Sequence, residues 1–452
     1  MLVNGRDEDP VPAEPGGART TRRGFLGKAA GAVAASAAAM AGAEAAAPVH
    51  GQAPSASECG VHGSRGFYNV RDYGARGDGS ADDTAAIQAA IAAAERSAYG
   101  GVVYFPVGQY VVTAPLVISR SDILILGSGP LATMGGAGYN DGNCTTIKAA
   151  AKWAQGGASQ PACILFDAVK AGTGLNRCGV ERLTILGCDL APETQMHGIA
   201  TYGYVGAFSV TGCIVGSIAN KSSSGISNTA SYWPTAQGSS IIRNLVQNVG
   251  GDGYDLASGD LTMEHCHAQG CGGNGISITT RAGDTRVANC RGDLSGRSGF
   301  YINVPHGGYL GMVQLANCST QRNMENGIRI ANSTAGEISP VYLTGCVFQG
   351  DGRSGSSHAG IRLSGPVMAT ITGCGVHVNT CDIRSGVPLH AITIASDGVS
   401  PPVMLSMLGG FYNAVTAFCD KVDAPAASDI RVYTFTGCQW DYNKTPNLTT
   451  EL

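Results

Sequence analysis

Five cysteines, Cys266, Cys290, Cys318, Cys346 and Cys374, follow one another at intervals of 24, 28, 28 and 28 residues. This period constrains the fold more than any other feature of the chain. Each cysteine closes a short alternating stretch, among them Thr285-Arg286-Val287-Ala288, Val313-Gln314-Leu315-Ala316 and Val341-Tyr342-Leu343-Thr344. The residue just before the cysteine is His265, Asn289, Asn317, Gly345 or Gly373, and Gly187, Gly212 and Gly437 hold the same place before Cys188, Cys213 and Cys438. Gly and Asn tolerate positive φ, so one left-handed residue there turns the chain between two strands without a loop. A second block follows each cysteine: Gly253-Tyr254-Asp255-Leu256, Gly275-Ile276-Ser277-Ile278, Gly299-Phe300-Tyr301-Ile302, Gly327-Ile328-Arg329-Ile330 and Gly360-Ile361-Arg362-Leu363. Strict alternation turns the apolar residues inward and the middle residue outward. The unit is therefore a coil of three short strands, and its repetition at this period predicts a parallel β-helix.

Composition agrees with stacked coils. The 66 glycines supply turns, whereas charged residues make up only 14% of the chain and aromatics 6%. A net charge of -4, with no basic run beyond the first thirty residues, argues against a nucleic-acid partner. All 15 cysteines follow residue 57. Stacked side chains in register point in parallel rather than toward one another, so most of these are expected to be buried free thiols. Cys266/Cys271 and Cys374/Cys381 are the pairs where a local disulfide is expected if one forms.

The N-terminus reads as a targeting segment. Arg22-Arg23-Gly24-Phe25-Leu26 with Lys28 resembles a twin-arginine export signal, a mildly apolar run from Ala29 to Met40 follows, and Ala43-Glu44-Ala45 suits cleavage. The expected organisation is a signal peptide at 1–45, a linker at 46–65 and one β-helix domain at 66–452. The protein would be secreted or extracytoplasmic, without a stable membrane anchor.

Phe67-Tyr68-Asn69-Val70-Arg71-Asp72-Tyr73-Gly74-Ala75, then Asp82-Asp83-Thr84 with Ile87 and Ile91, then Gly101-Val102-Val103-Tyr104-Phe105-Pro106, resembles the N-terminal signature of the pectate-lyase-like superfamily. The resemblance implies an all-β fold: a single right-handed parallel β-helix with an N-terminal capping helix. That helix would begin near Thr84 behind Asp82 or Asp83 and bury Ile87 and Ile91, hiding the open end of the solenoid. Asp72, Asp78, Asp82 and Asp83 are read as structural.

The resemblance also implies that a polysaccharide lies along the sheet built from the glycine-opened blocks. Its outward positions, Asp255, Ser277, Tyr301, Arg329 and Arg362, should form one column. The expected activity is cleavage of an acidic, uronate-containing glycan by β-elimination, which needs a base and positive charge at the developing enolate. Tyr301 beside Arg329 is the base candidate, Arg329 the electrostatic clamp, and Asp255 the third catalytic candidate. Substrate contacts are expected from Arg362, Ser277, His306, His358 and the pair Tyr232 and Trp233, whose indole suits stacking on a sugar. The alternatives are a glycoside hydrolase with paired carboxylates on the same fold, and a non-catalytic glycan-binding or cell-surface solenoid. Calcium, held by many pectate lyases, is the cofactor to test at Asp252, Asp255 and Asp260. The histidine spacing makes no zinc site. His267 and Arg291 are expected on a different face and serve as off-site references.

Overall fold

The computed structural model describes residues 66–131, 143–228, 238–280, 283–304, 311–332, 339–354, 358–365, 367–377, 390–395, 403–413, 417–422, 430–436 and 438–441. The twin-arginine segment, the linker, Tyr232, Trp233, His306 and Cys381 lie outside them. Residues Gly63–Leu452 form one compact unit.

Within it the chain winds as a right-handed parallel β-helix. Two thirteen-stranded sheets and one eleven-stranded sheet run its length, with every strand in them parallel to its neighbours. One coil shows the pattern. Leu261–Glu264 belongs to the first sheet, His267–Gln269 to the second and Ile276–Thr280 to the third, and Thr285–Ala288 then pairs in register with Leu261–Glu264. The right-handed sense is that of nearly all parallel crossovers.

The bend between the first two sheets works as the sequence suggests. His265, Asn289, Asn317, Gly345, Gly373 and Gly212 all have φ between 52° and 64°. One expected position is wrong. In the coil containing Cys188 the left-handed residue is Arg182 (φ 57°), Leu183 takes the inward place, and Cys188 is exposed beyond the strand.

The structure explains why cysteine follows the bend. The Cys290 thiol donates to the carbonyl of Ala288 at 3.2 Å, and Cys266 donates to Glu264 O at 3.3 Å. In each case the acceptor is two residues back, on the far side of the bend. Asn244 occupies the same row but bonds the preceding coil, its amide donating to Val210 O and accepting from Cys213 N, both at 2.8 Å. These carbonyls already accept a backbone N–H from the preceding coil, Ala288 O from His265 N at 3.1 Å and Glu264 O from Arg243 N at 2.9 Å, so the row suits a small side chain whose weak donor adds to a paired carbonyl. Cys266 and Cys271, singled out for a local disulfide, are both free and buried.

The interior is not uniformly apolar. At the bend closing the second sheet, Asn323 Oδ1 accepts from Ser295 N at 2.8 Å, and Asp351 Oδ1 accepts from Asn323 N at 3.0 Å. Asp351 also takes the Thr320 hydroxyl at 2.5 Å and the Asn323 amide at 2.8 Å. Each rung pairs with the coil next to it, which keeps these buried polar groups satisfied. Burial, above all, pushes the Asp351 carboxyl up to about 7.

At the N-terminal end, α1 (Thr84–Arg96) buries Ile87, Ala90, Ile91 and Ala94 against strands Gly66–Asn69, Gly101–Phe105 and Leu116–Ile118. The two aspartates before it divide the work. Asp82 accepts from Thr84 N at 3.0 Å, whereas Asp83, at the N-cap position, accepts from Arg76 N and Gly77 N at 2.7 and 3.0 Å. Asp82 thus caps the helix and Asp83 ties down the preceding turn. No helix among the described residues is long and apolar enough to cross a membrane.

Two measurements check this core. Thiol titration in denaturant without reductant should find at least half of the cysteines reactive, and Cys318→Ala should cost about 1–3 kcal/mol through the cavity and the lost donor. The second concerns Asp351. A carboxyl whose folded pKa is raised binds its proton more tightly when folded, so its contribution to stability is greatest below the unfolded value of 3.8 and declines up to about 7. Denaturant melts across that window should therefore fall less steeply with pH for Asp351→Asn than for the wild type.

Candidate functional site

The third sheet brings the expected column together. Hydrogen-bond register pairs Asp255 with Ser277, Ser277 with Tyr301, Tyr301 with Arg329, and Arg329 with Arg362. Either side of each outward residue is a buried apolar one: Phe300 and Ile302 around Tyr301, Ile328 and Ile330 around Arg329. The opening glycines are required by close packing. A Cβ on Gly299 would stand 2.5 Å from Thr320 Cγ2, and one on Gly327 would stand 2.7 Å from Asp351 Oδ2. The third sheet thus begins flush against the polar interior, which fixes where its outward residues stand.

The basic end of the column is built from neighbours on consecutive coils. The Arg329 guanidinium lies over the Tyr301 ring, 5.3 Å from its centroid. It therefore makes a cation–π contact with the ring face. Arg329 Nε is buried without a hydrogen-bond partner, and so is Nδ1 of His358. Burial, followed by Arg362 and Arg329, lowers the His358 pKa, with Glu325 opposing. The imidazole is thus biased toward its neutral form and feels both arginines.

Glu325 and Arg297 belong to the same edge, and the sequence reading passed over them. Each stands two residues before a strand-opening glycine, as His358 does. Their coils are adjacent, with Glu325 N donating to Arg297 O at 3.1 Å. That fixed offset from Gly299, Gly327 and Gly360 is the signal that could have found them.

The acidic end separates into different jobs. Asp252 Oδ1 accepts from Asn274 N at 2.6 Å, Asn274 Oδ1 accepts from Ser298 N at 3.2 Å, and Asn326 Oδ1 accepts from Ala359 N at 3.0 Å. Asp252 is a rung of this ladder and also takes the Ser277 hydroxyl. Ser277 is buried and committed to that bond, so it is a structural member of the column and not the open substrate contact expected of it. Asp255 is half-buried, and burial together with the Asp252 carboxylate pushes its pKa up to about 6. Two strands separate it from Tyr301, about 10 Å at ~4.8 Å per strand. Asp255, the third catalytic candidate, therefore stands apart from Tyr301 and Arg329, whereas His358, expected as a substrate contact, lies near enough to feel both arginines.

Asp260 stands apart as well, accepting from Asp284 N at 3.2 Å. Asp252, Asp255 and Asp260 thus do not converge into a calcium cage, and no group of three metal-ligating side chains exists among the described residues. His267 and Arg291 lie on the second sheet as expected, but they are not idle. Both bond Oδ2 of the buried Asp293, at 3.1 and 2.5 Å.

Comparison with known proteins places this geometry in context. The family model for rhamnogalacturonase A/epimerase, pectate lyase-like proteins matches residues 67–301. Alginate lyase 7 of Azotobacter vinelandii is 48% identical over 68 residues, 14% of this chain and 8% of that protein. A probable glucan endo-1,3-beta-glucosidase of Arthroderma benhamiae is 47% identical over 66 residues, 13% of this chain and 8% of that protein. The chain thus matches less than a tenth of the length of these relatives. Among solved structures, the A-module of the mannuronan C-5 epimerase AlgE6 of Azotobacter vinelandii aligns over 83% of this chain and 100% of that one, at 16% identity and a TM-score of 0.49.

The two aspartates should separate in a stability test. Asp252→Ala leaves a buried N–H of the ladder unpaired and should cost about 1–3 kcal/mol. Asp255→Asn removes a carboxylate that burial disfavours, and at pH 8 it should match or exceed the wild type in chemical denaturation.

Proposed function

We propose, from the premise that this chain belongs to the rhamnogalacturonase A/epimerase, pectate lyase-like family, that it is a polysaccharide-active enzyme cleaving a uronate-containing glycan by β-elimination. The observation that carries the reading is the cluster of Tyr301, Arg329, Arg362 and His358 on one edge of the third sheet, with Arg329 Nε and His358 Nδ1 buried and lacking partners. Polar atoms in that state cost free energy unless a ligand supplies the missing bonds.

In this scheme Arg329 and Arg362 face the uronate carboxylate and stabilise the enolate that forms when the adjacent carbon loses its proton. The neutral imidazole of His358 takes that proton, and the electron pair left behind expels the glycosidic oxygen. The Tyr301 hydroxyl gives its proton to the leaving oxygen. Glycoside hydrolysis is the second reading, favoured by the raised pKa of Asp255, which suits a general acid. Its partner Asp252 is held in the ladder, and this places elimination first. The twin-arginine segment at 20–28 supports export, which fits a substrate outside the cytoplasm.

Incubating the protein with polysaccharides and reading unsaturated products beside reducing ends tests the scheme. Elimination yields both signals, whereas hydrolysis yields reducing ends alone. Arg329→Ala and His358→Ala should keep the wild-type melting temperature and lose about 10²–10³ in turnover. Gln314→Ala, exposed on the first sheet, is the reference and should lose little. His267→Ala and Arg291→Ala would strip partners from buried Asp293 and are poor references. Because the His358 pKa is lowered, the acid limb of kcat/KM should fall below the ordinary imidazole range. Full activity of Arg329→Ala would refute the assignment.

A further inference from the structure

The outward column is electrically polar along the helix axis. From Asp255 it passes through uncharged Ser277 and Tyr301 to Arg329 and Arg362, with Ser227 in register before this stretch and Thr393 and Asp420 after it. Asp252 reinforces the negative end, bonded through Asn274 and Ser277 on the neighbouring strand. Arg297, on the intervening edge, acts on Asp252, whereas Asp255 is influenced by burial and by Asp252. Among the described residues, no cation therefore offsets Asp255 directly. Three strands separate Asp255 from Arg329, about 14 Å at ~4.8 Å per strand. A glycan lying along the column with a uronate at the arginines has another sugar beside Asp255. Further toward the N-terminus the same face turns apolar, with Leu165 and Ala200 in the column and Val117 at its start.

We infer that Asp255 is a specificity-determining residue that rejects a uronate at its own sugar position, so that the glycan bound is a heteropolymer with an uncharged sugar there. The inference rests on the proposed uronate site at Arg329 and Arg362. Like charges brought together in a partly desolvated groove repel strongly, whereas a sugar hydroxyl can donate to the same carboxylate. Homopolyuronates longer than the arginine site gain nothing from reaching Asp255 and are penalised for it. The discrimination comes from repulsion of the wrong polymer, with no new contact to the right one.

The test is a length series of homo-oligouronates, from dimer to pentamer, bound at pH 8 where Asp255 is ionised. Isothermal calorimetry on the His358→Gln background keeps the ligand from being consumed. With Asp255 intact, affinity should stay level or fall as the chain lengthens. With Asp255→Asn, the dimer should bind as before and the pentamer should bind about tenfold more tightly. Asp255→Glu, which keeps the charge, should retain the wild-type profile and separate charge from shape. Pentamer affinity unchanged by Asp255→Asn, with dimer binding intact, overturns the inference and leaves the uronate site standing. Absence of binding by every uronate to every variant overturns the uronate reading itself, and this inference with it.

Discussion

A single left-handed residue between the first and second sheets governs this molecule. It turns the chain sharply enough for two strands to meet without a loop, and its own N–H bonds the equivalent carbonyl of the next coil, as His265 N does to Ala288 O. The row that follows carries small side chains with a donor: the thiols of Cys266, Cys290 and Cys318 reach back across the bend, and the Asn244 amide bonds the preceding coil. Because each coil is closed by the same device, strands stack in register. A side chain's place on one coil then sets what it touches on the next.

Stacking in register has two consequences that pull in opposite directions. Inside, it lets polar residues survive burial, since each rung can bond to the coil beside it. His197, whose Nδ1 accepts from Ser224 N, and the Asp252–Asn274–Ser298 series occupy one such ladder, while Ser295, Asn323 and Asp351 occupy another. Outside, it forces like residues into contact, and Arg329 beside Arg362 is the result. An arrangement that repels itself persists where a neighbouring anion or an anionic ligand compensates. The Tyr301 ring supplies part of that compensation from the protein.

Much of this was legible in the chain. The three-strand coil, the column from Asp255 to Arg362 and the helix over the open end follow from a period of 28, an alternation of two and a short N-terminal signature. Each is a local pattern that a stack merely repeats. The failures share a cause. Cys188 carries the right dipeptide, Gly187-Cys188, yet the bend falls at Arg182, because position in the coil and not the dipeptide decides which residue turns. Asp252 and Asp255 are three residues apart in sequence, yet one is a structural rung and the other a half-buried acid. Glu325 and Arg297 stand just before their strands, where alternation gives no direction.

The amino-acid sequence by itself determined the repeat, the inward and outward sets and the order of charges along the groove. These depend only on which residue follows which, with a strand's two-residue period translating order into facing. The tertiary structure decided which outward groups are spoken for. Asp252 and Ser277 are occupied by the adjoining coil, Arg329 rests on a ring, and Arg329 Nε and His358 Nδ1 are left buried without partners. Partnership between coils depends on distances across the stack, and those are set by packing at every bend, which no single stretch of sequence contains.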